Sequence, residues 1–331
     1  HLDKATWSRN HRVDVYTCAN LLTITPSAFQ NMPQLDYVYM YNNPKLSNAP
    51  VLHFDGVDQS NNYYYVYLYG CNITDFSPLK TNRLVYLSNY NQQHSNLIDM
   101  SWLGDCNYVW EWHGSSNDYN LSNLPDLVET RLNKVYLQHT NITDPTFLTT
   151  AIKGLRPAGN TFVLGVSSDT DAIYDTLHLY DASLSATHMT TLGADPTKKI
   201  SIVDELVIYN NPELRDLRLF ENSFNYPDRT SWHNSSNHHY AYLYSCNLTN
   251  DSFSIGAMRE WWQCLRLYIY NNPNLTSLSE LFTNNTSIPR STYYDTWSFK
   301  EFHAYSCAIT DVSWMLNDSF AGVKYCHIGS N

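Results

Sequence analysis

The sequence predicts an α/β repeat protein: a solenoid of about a dozen coils, with a parallel β-sheet on one face and loops and short helices on the other. Three observations predict it. The phrase "YMYNNPKL" from Tyr39 returns as "VIYNNPEL" from Val207 and "YIYNNPNL" from Tyr268. The residues leading into each phrase alternate, apolar then aromatic, which is the period of a strand with two unlike faces. The stretches between phrases are rich in Asn, Ser and Pro, the residues of turns.

Aligned on the phrase, one segment per coil follows along the chain. They are VDVYTC (13–18), VYMYNN (38–43), VYLYGC (66–71), VYLSNY (85–90), VYLQHT (135–140) and LHLYDA (177–182). LVIYNN (206–211), AYLYSC (241–246), LYIYNN (267–272), FHAYSC (302–307) and CHIGSN (326–331) complete the series. A weaker segment, VWEWHG (109–114), fills the gap before Val135 and sends Glu111 inward. In each segment the two apolar residues point to one side and form the core. One coil cannot bury its apolar side alone, so neighbours must stack. The chain turns after the strand, and Asn43, Asn211 and Asn272 are placed to satisfy backbone groups there with inward amides. Cys18, Cys71, Cys246 and Cys307 take the same position in other coils. Cys246 and Cys307 have a whole coil between them, roughly two strand spacings of ~4.8 Å, and bridged Cα atoms lie within about 7 Å. The four are therefore expected as buried free thiols, and Cys106, Cys264 and Cys326 as inward-facing. Between strands, 144–155 and 252–262 read as short helices.

The full phrase, L-x-x-L-x-L-x-x-(N/C)-x-(x)-L, resembles the leucine-rich repeat family. "YLYGCNITDFSPL" and "YIYNNPNLTSL" are its best instances, and the resemblance runs along nearly the whole chain. It implies a single domain over 1–331, a leucine-rich-repeat solenoid of a divergent extracellular type. The sequence departs from the family in its ragged coil lengths and in having no cysteine-rich terminal caps.

Composition narrows function. Formal net charge is -11 and no run of Lys or Arg occurs, which excludes a surface that tracks nucleic-acid phosphates. No apolar stretch is long enough to span a bilayer, so no membrane insertion is expected. The chain opens on His1, without an initiator Met, and a processed N-terminus is the expectation. No motif of phosphate-binding loops, nucleophile elbows or zinc hydrolases is present. His233, His238 and His239 are close in sequence, and Asp169 and Asp171 lie in the longest insertion; all five read as solvated loop residues. No catalytic residue, metal or other cofactor is expected beyond N-linked glycans.

The outward positions carry the functional signal. One column includes Tyr16, Tyr41, Tyr69, Trp112, Tyr180, Tyr209, Tyr244, Tyr270 and Tyr305. The next includes Tyr39, Tyr67, Tyr86, Trp110, Tyr136, Tyr242 and Tyr268. A third includes Tyr37, Tyr65, Tyr108, Tyr240 and Tyr325. Nineteen of the 27 tyrosines fall in the three columns, which ties tyrosine to one face of the sheet. Aromatic pairs across strands stabilise a sheet by ~0.2–1 kcal/mol each, enough to explain one column. A face several rings wide and nearly without charge reads as a contact surface. These residues form the predicted binding face.

Asn-X-Ser/Thr sequons stand at Asn72, Asn120, Asn141, Asn234, Asn247, Asn250, Asn274, Asn284, Asn285 and Asn317. Asn72, Asn141 and Asn247 each follow the turn position by one residue and would line one edge. Together these features point to a secreted or cell-surface, non-enzymatic protein. The leading expectation is a structural subunit whose copies assemble end to end, through uncapped terminal coils and the tyrosine face. The alternative is a receptor or adhesin ectodomain that recognises a glycan or protein on that face.

Overall fold

The protein is described from a computed structural model. It describes residues 12–26, 28–29, 32, 35, 37–50, 64–79, 83–88, 97–99, 101–102, 108–122, 134–140 and 145–150. It further describes 172–180, 184–195, 200–220, 223, 240–253, 264, 266–283, 301–316 and 323–330. The chain divides into two compact units, His1–Asn141 and Ile142–Asn331. Each is an arrangement of parallel strands with few helices among the described residues.

The first unit contains β1 (Arg12–Tyr16), β2 (Tyr37–Tyr41), β3 (Tyr64–Tyr69), β4 (Arg83–Ser88), β5 (Leu97–Asp99), β6 (Tyr108–Ser122) and β7 (Lys134–Thr140). Pairing runs β1-β2-β3-β4-β6-β7, all parallel, with β5 on the far part of β6. The second unit contains β8 (Ala172–Tyr180), β9 (Ile200–Tyr209), β10 (Tyr240–Tyr244), β11 (Arg266–Tyr270), β12 (Glu301–Tyr305) and β13 (Tyr325–Gly329). These pair in parallel, in chain order.

Alternation sets the core. In β2, β10, β11 and β12 buried residues alternate with partly exposed ones, and every buried one is an apolar residue of the repeated segment. Val38, Met40, Val66 and Leu68 fill the core of the first unit; Leu243, Leu267, Ile269 and Phe302 fill that of the second. The apolar residue after the turn is also buried at Leu46, Ile73, Leu214, Leu248 and Leu275, and half-buried at Ile309. Larger side chains close the side away from the strands. Phe76 stacks with Trp102, and Trp314 meets Phe302 edge to face while its indole N–H donates to the Asp311 carbonyl.

The turns repeat atom for atom. The residue after the strand sits in the left-handed region at Thr17, Asn42, Gly70, Asn210, Ser245, Asn271, Ser306 and Ser330. Its N–H donates to the last strand residue of the next coil, as from Asn42 to the Tyr69 carbonyl at 2.8 Å and from Asn210 to the Tyr244 carbonyl at 2.8 Å. The following residue is the predicted Asn or Cys. Asn43, Asn211 and Asn272 are fully buried. Asn272 Oδ1 accepts the N–H groups of Cys246 and Leu248, both at 3.1 Å, and its Nδ2 donates to the Leu243 and Tyr270 carbonyls. Cysteine makes the shorter version of this contact. The thiols of Cys71, Cys246 and Cys307 donate to Met40, Ile208 and Ile269 of the coil before. Asn43, Asn211 and Asn272 reach the equivalent carbonyls of Val15, Leu179 and Leu243. Cys18, Cys71, Cys246, Cys264, Cys307 and Cys326 are all free thiols; Cys71, Cys246 and Cys307 are buried as expected, but Cys18 is exposed, because β1 pairs on one side only, with β2. Cys106 lies outside the described residues.

The register departs from the sequence alignment in two places. Tyr65 of β3 stands level with Tyr86 of β4, and Val66 with Leu87, after an irregularity at Tyr64. This moves β4 by two residues relative to the alignment, and an even slip keeps each residue on its face. In β6 the slip is odd. Trp112 stands level with Leu87 on one side and Val135 on the other, both buried, whereas alignment had set Val109 beside Val135. An odd slip exchanges the faces of a strand. Trp112, and Trp110 with it, thus hold core-side register positions rather than places in the tyrosine columns. Glu111, expected inward, is instead level with Tyr86 and Lys134. The physical reason is that β6 runs 15 residues and lacks the two-residue apolar alternation that sets phase elsewhere.

Helices fall mostly elsewhere than expected. Thr146–Thr150 and Asn250–Phe253 are 3-10 turns; the remainder of the predicted helices at 144–155 and 252–262 lies outside the described residues. The described α-helices are α1 (Ala186–Ala194), which buries Met189 and Leu192, and α2 (Ser279–Thr283). No described helix is long and apolar enough to cross a membrane.

Candidate interaction surface

The tyrosine columns stand on the side of each sheet opposite the core. In the first unit, Tyr37, Tyr39 and Tyr41 of β2 lie level with Tyr65, Tyr67 and Tyr69 of β3. Ring centroids are 4.6 Å apart for Tyr37 and Tyr65, and 4.3 Å for Tyr39 and Tyr67, with planes within 8° and 6° of parallel. Tyr16 of β1 covers Tyr41 at 5.0 Å. Arg12 lies 4.3 Å over the Tyr39 ring while its guanidinium pairs with Asp14. Tyr136 of β7 is half-buried on the same parity. For Tyr86, Trp110 and Trp112 only the register is described.

The second unit carries the longer surface. Tyr180, Tyr209, Tyr244, Tyr270 and Tyr305 occupy one row, level from β8 to β12. Neighbouring centroids are 5.6, 4.6, 6.1 and 5.4 Å apart along it. The row ends on Gly329 of β13, where an added Cβ would come within 2.8 Å of Tyr305 Cε1. The Tyr305 ring therefore leans over the last strand, and only glycine leaves it room. The second row runs His178, Val207, Tyr242, Tyr268, His303 and His327. Tyr242 and Tyr268 stack at 4.2 Å, and His303 stacks on His327 at 4.6 Å.

Stacking decides what the surface offers. In the closest pairs the ring planes are nearly parallel, so each ring turns a face to its neighbour on the next strand. The longer row is mixed, since Tyr180 meets Tyr209 edge to face at 73° and Tyr244 is tilted 58° to Tyr270. In the first unit the rows differ in depth, with Tyr41 and Tyr69 exposed at 36% and 37% and Tyr39 and Tyr67 half-buried; in the second, Tyr209 is exposed at 39% and Tyr180, Tyr244, Tyr270 and Tyr305 are half-buried like Tyr242 and Tyr268.

Among the described residues, several ionisable groups of the face are paired on it. His178 Nε2 lies 2.8 Å from Glu205 Oε1. Glu301 Oε2 accepts the Tyr268 hydroxyl at 2.9 Å and lies 3.5 Å from Arg266 Nε. Burial, helped by Glu301, pushes the Tyr268 phenol above its ordinary value, and burial also raises Tyr180 and Tyr270. Burial, then the neighbouring His327, hold His303 below the usual imidazole value. Among the described residues no group of three or more His, Cys, Asp or Glu is placed to hold a metal ion. His233, His238, His239, Asp169 and Asp171 lie outside them.

The sequons divide by environment. Asn72, Asn247 and Asn274 sit on turns, each followed by a buried apolar residue and then a threonine. The acceptor pattern there is a by-product of the repeat: a polar residue, a core residue, a polar residue. The Asn247 and Asn274 amides meet across adjacent coils. Asn250 is occupied structurally, with Oδ1 accepting from the Thr276 and Ser277 N–H groups and Nδ2 donating to the Thr276 hydroxyl. Asn120 stands in β6, level with Leu97 of β5. Asn141, Asn234, Asn284, Asn285 and Asn317 lie outside the described residues.

Sequence reasoning missed the pairing of charges on the face and the role of Gly329. A clue to the first existed: Glu205, Arg266 and Glu301 each precede a core residue by one position, which puts them in an outward column. No protein-family model matches the chain, and no curated protein is significantly similar to it.

Proposed function

We propose that this chain is a divergent leucine-rich-repeat solenoid working outside the cell as a non-enzymatic binding module, with its tyrosine face as the recognition surface. The observation that carries the reading is that face: consecutive parallel strands present rows of tyrosine whose few charges are paired among themselves. Tyrosine brings contact area, a hydroxyl and a low cost in side-chain entropy, which suits it to recognition. The repeat reading is supported by one parallel strand per phrase and by the recurring Asn or Cys contact to the preceding coil. The extracellular reading rests on the charge-poor, Asn- and Ser-rich composition; of the turn sequons Asn274 is exposed and is the site proposed for an N-linked glycan.

The test is capture of material from cell-surface and matrix fractions by the full chain. Replacing Tyr67, Tyr69, Tyr242 and Tyr244 by Ser should abolish capture and leave the fold in place. Capture that persists undiminished in the variant sinks the reading. Self-assembly has one observation in its favour. Core-side positions Val13, Val15 and Ile328 are only half-buried, whereas their counterparts Val38, Met40 and Ala304 are buried. Sedimentation across a wide concentration range tests it, and a single monomeric species throughout removes it.

A further inference from the structure

Tyr268 is placed unlike the rings of the longer row beside it. Its hydroxyl donates to Glu301 Oε2 at 2.9 Å, from β11 across to β12. Arg266 Nε lies 3.5 Å from the same oxygen and helps hold the carboxylate there. Among the described residues, no hydroxyl of Tyr180, Tyr209, Tyr244, Tyr270 or Tyr305 rests on a carboxylate. Tyr242 covers one side of the Tyr268 ring at 4.2 Å, within 3° of parallel, and His303 stands 4.8 Å away on the next strand. Rings also follow one another from the surface to this site. The series runs from the exposed Tyr209 to Tyr244, Tyr270 and the half-buried Tyr268, with centroids 4.6, 6.1 and 6.1 Å apart.

These contacts favour one kind of chemistry. A phenol that loses an electron and keeps its proton becomes a cation, and an unpartnered charge is costly in a half-buried site. The proton does not leave first. Burial, then the bond to Glu301, raise the Tyr268 phenol above its ordinary value, so phenolate is scarce at neutral pH. The remaining route moves electron and proton together, and it needs a base within hydrogen-bond reach of the hydroxyl. Glu301 is that base.

We infer that Tyr268 is a redox-active tyrosine, the residue of this face on which oxidation by a one-electron acceptor comes to rest as a neutral tyrosyl radical. The Tyr268 O–H bond breaks and its proton goes to Glu301 Oε2. The electron passes by way of Tyr270 and Tyr244 to Tyr209, and from there to the acceptor, which is reduced by one electron. The acceptor class is a metal complex or oxidised haem whose potential exceeds that of a phenol. A one-electron donor of the ascorbate class reverses the step, and the proton returns from Glu301. Nothing in this chemistry depends on a partner of the tyrosine face.

The experiment oxidises the full chain with flash-generated tris(bipyridine)ruthenium(III). Transient absorption and electron paramagnetic resonance of freeze-quenched samples follow the tyrosyl radical. The expected result is a radical that outlives that of free tyrosine under the same flash and forms more slowly in heavy water. Tyr268→Phe keeps the ring stack and should remove the long-lived signal. Glu301→Gln keeps the side-chain shape without a base and should slow formation of that signal about a hundredfold, the low end of what a positioned base contributes. Absence of a long-lived signal in the parent chain overturns the inference. So does its persistence in Tyr268→Phe, and so does unchanged formation in Glu301→Gln. Melting temperature shows whether each variant is folded. Should either fail to fold, peptide mapping of nitroso spin-trap adducts on the parent chain decides: an adduct on Tyr268 supports the assignment, and adducts confined to other tyrosines overturn it.

Discussion

Asn272 is the clearest place to test how the coils are tied together. Its side chain is fully buried and makes four hydrogen bonds, two accepted from the N–H groups of Cys246 and Leu248 and two donated to the carbonyls of Leu243 and Tyr270. Three of the four reach the preceding coil. Replacement by Ala strands two buried N–H groups, and at a net ~1 kcal/mol per bond the loss is about 4 kcal/mol before any cavity term. Replacement by Cys should be milder. Cys246 and Cys307 show that a thiol at this position still donates to the preceding coil's carbonyl and to its own strand. Asn272→Cys therefore keeps one weakened donor, its single S–H shared between the two carbonyls, and loses both accepted bonds, for a cost of about 3 kcal/mol. Urea unfolding followed by tryptophan fluorescence gives the stability. Hydrogen exchange of the Cys246 and Leu248 amides localises the effect, since those protons lose their acceptor in both variants. The reasoning fails if Asn272→Ala costs less than about 1 kcal/mol, or if Cys is as damaging as Ala.

Three further outcomes follow from the same geometry. Thr17, Ser245 and Ser306 hold left-handed backbone without being glycine; Thr17→Gly or Ser306→Gly should stabilise by about 1 kcal/mol, and Gly70→Ala should destabilise by a similar amount, read as shifts in the urea midpoint. His303 is held below the ordinary imidazole value, so the unfolded chain takes up its proton first as pH falls; stability is full above the ordinary histidine range and drains away below it. Imidazole titration by NMR should place His303 under a free histidine, and His303→Gln should flatten the acid limb of the stability curve. Burial pushes the Cys246 thiol up to about 12, and Cys264 is raised further, whereas Cys18 is exposed. Alkylation at mildly alkaline pH should therefore modify Cys18 and spare Cys246 and Cys264 until denaturant is added.

What could be read directly was everything that depends on the alternation of one strand. Val38 and Met40 go in and Tyr39 and Tyr41 go out because successive Cβ atoms leave a strand on opposite sides. The phrase locates β1, β2, β3, β7 and β10 to β13 to within a residue or two, and only the C-terminal ends of β8 and β9. Its closing Asn or Cys is inward because the turn leaves backbone groups that only a short polar side chain can reach. The candidate surface was legible for the same reason, except at Trp110 and Trp112. There β6 has no clean alternation, and phase had to be borrowed from β7 by alignment.

The sequence by itself determined which residues form the core, which form the aromatic face, and where the chain turns. These are properties of a strand and its next few residues, written locally in side-chain chemistry. Only the tertiary structure decided register, and register decided the rest. The slip of β4 set Tyr86 beside Tyr65 instead of Tyr67, and the odd slip of β6 carried two tryptophans to the core-side parity. Register settles which ring meets which, and so it decided that Tyr209 stacks on Tyr244 and Tyr242 on Tyr268. It also matched Glu205 to His178 and Glu301 to Arg266. The physical reason is that the offset between two strands is set by the loop joining them and by the packing beneath, and neither is encoded in the strands themselves.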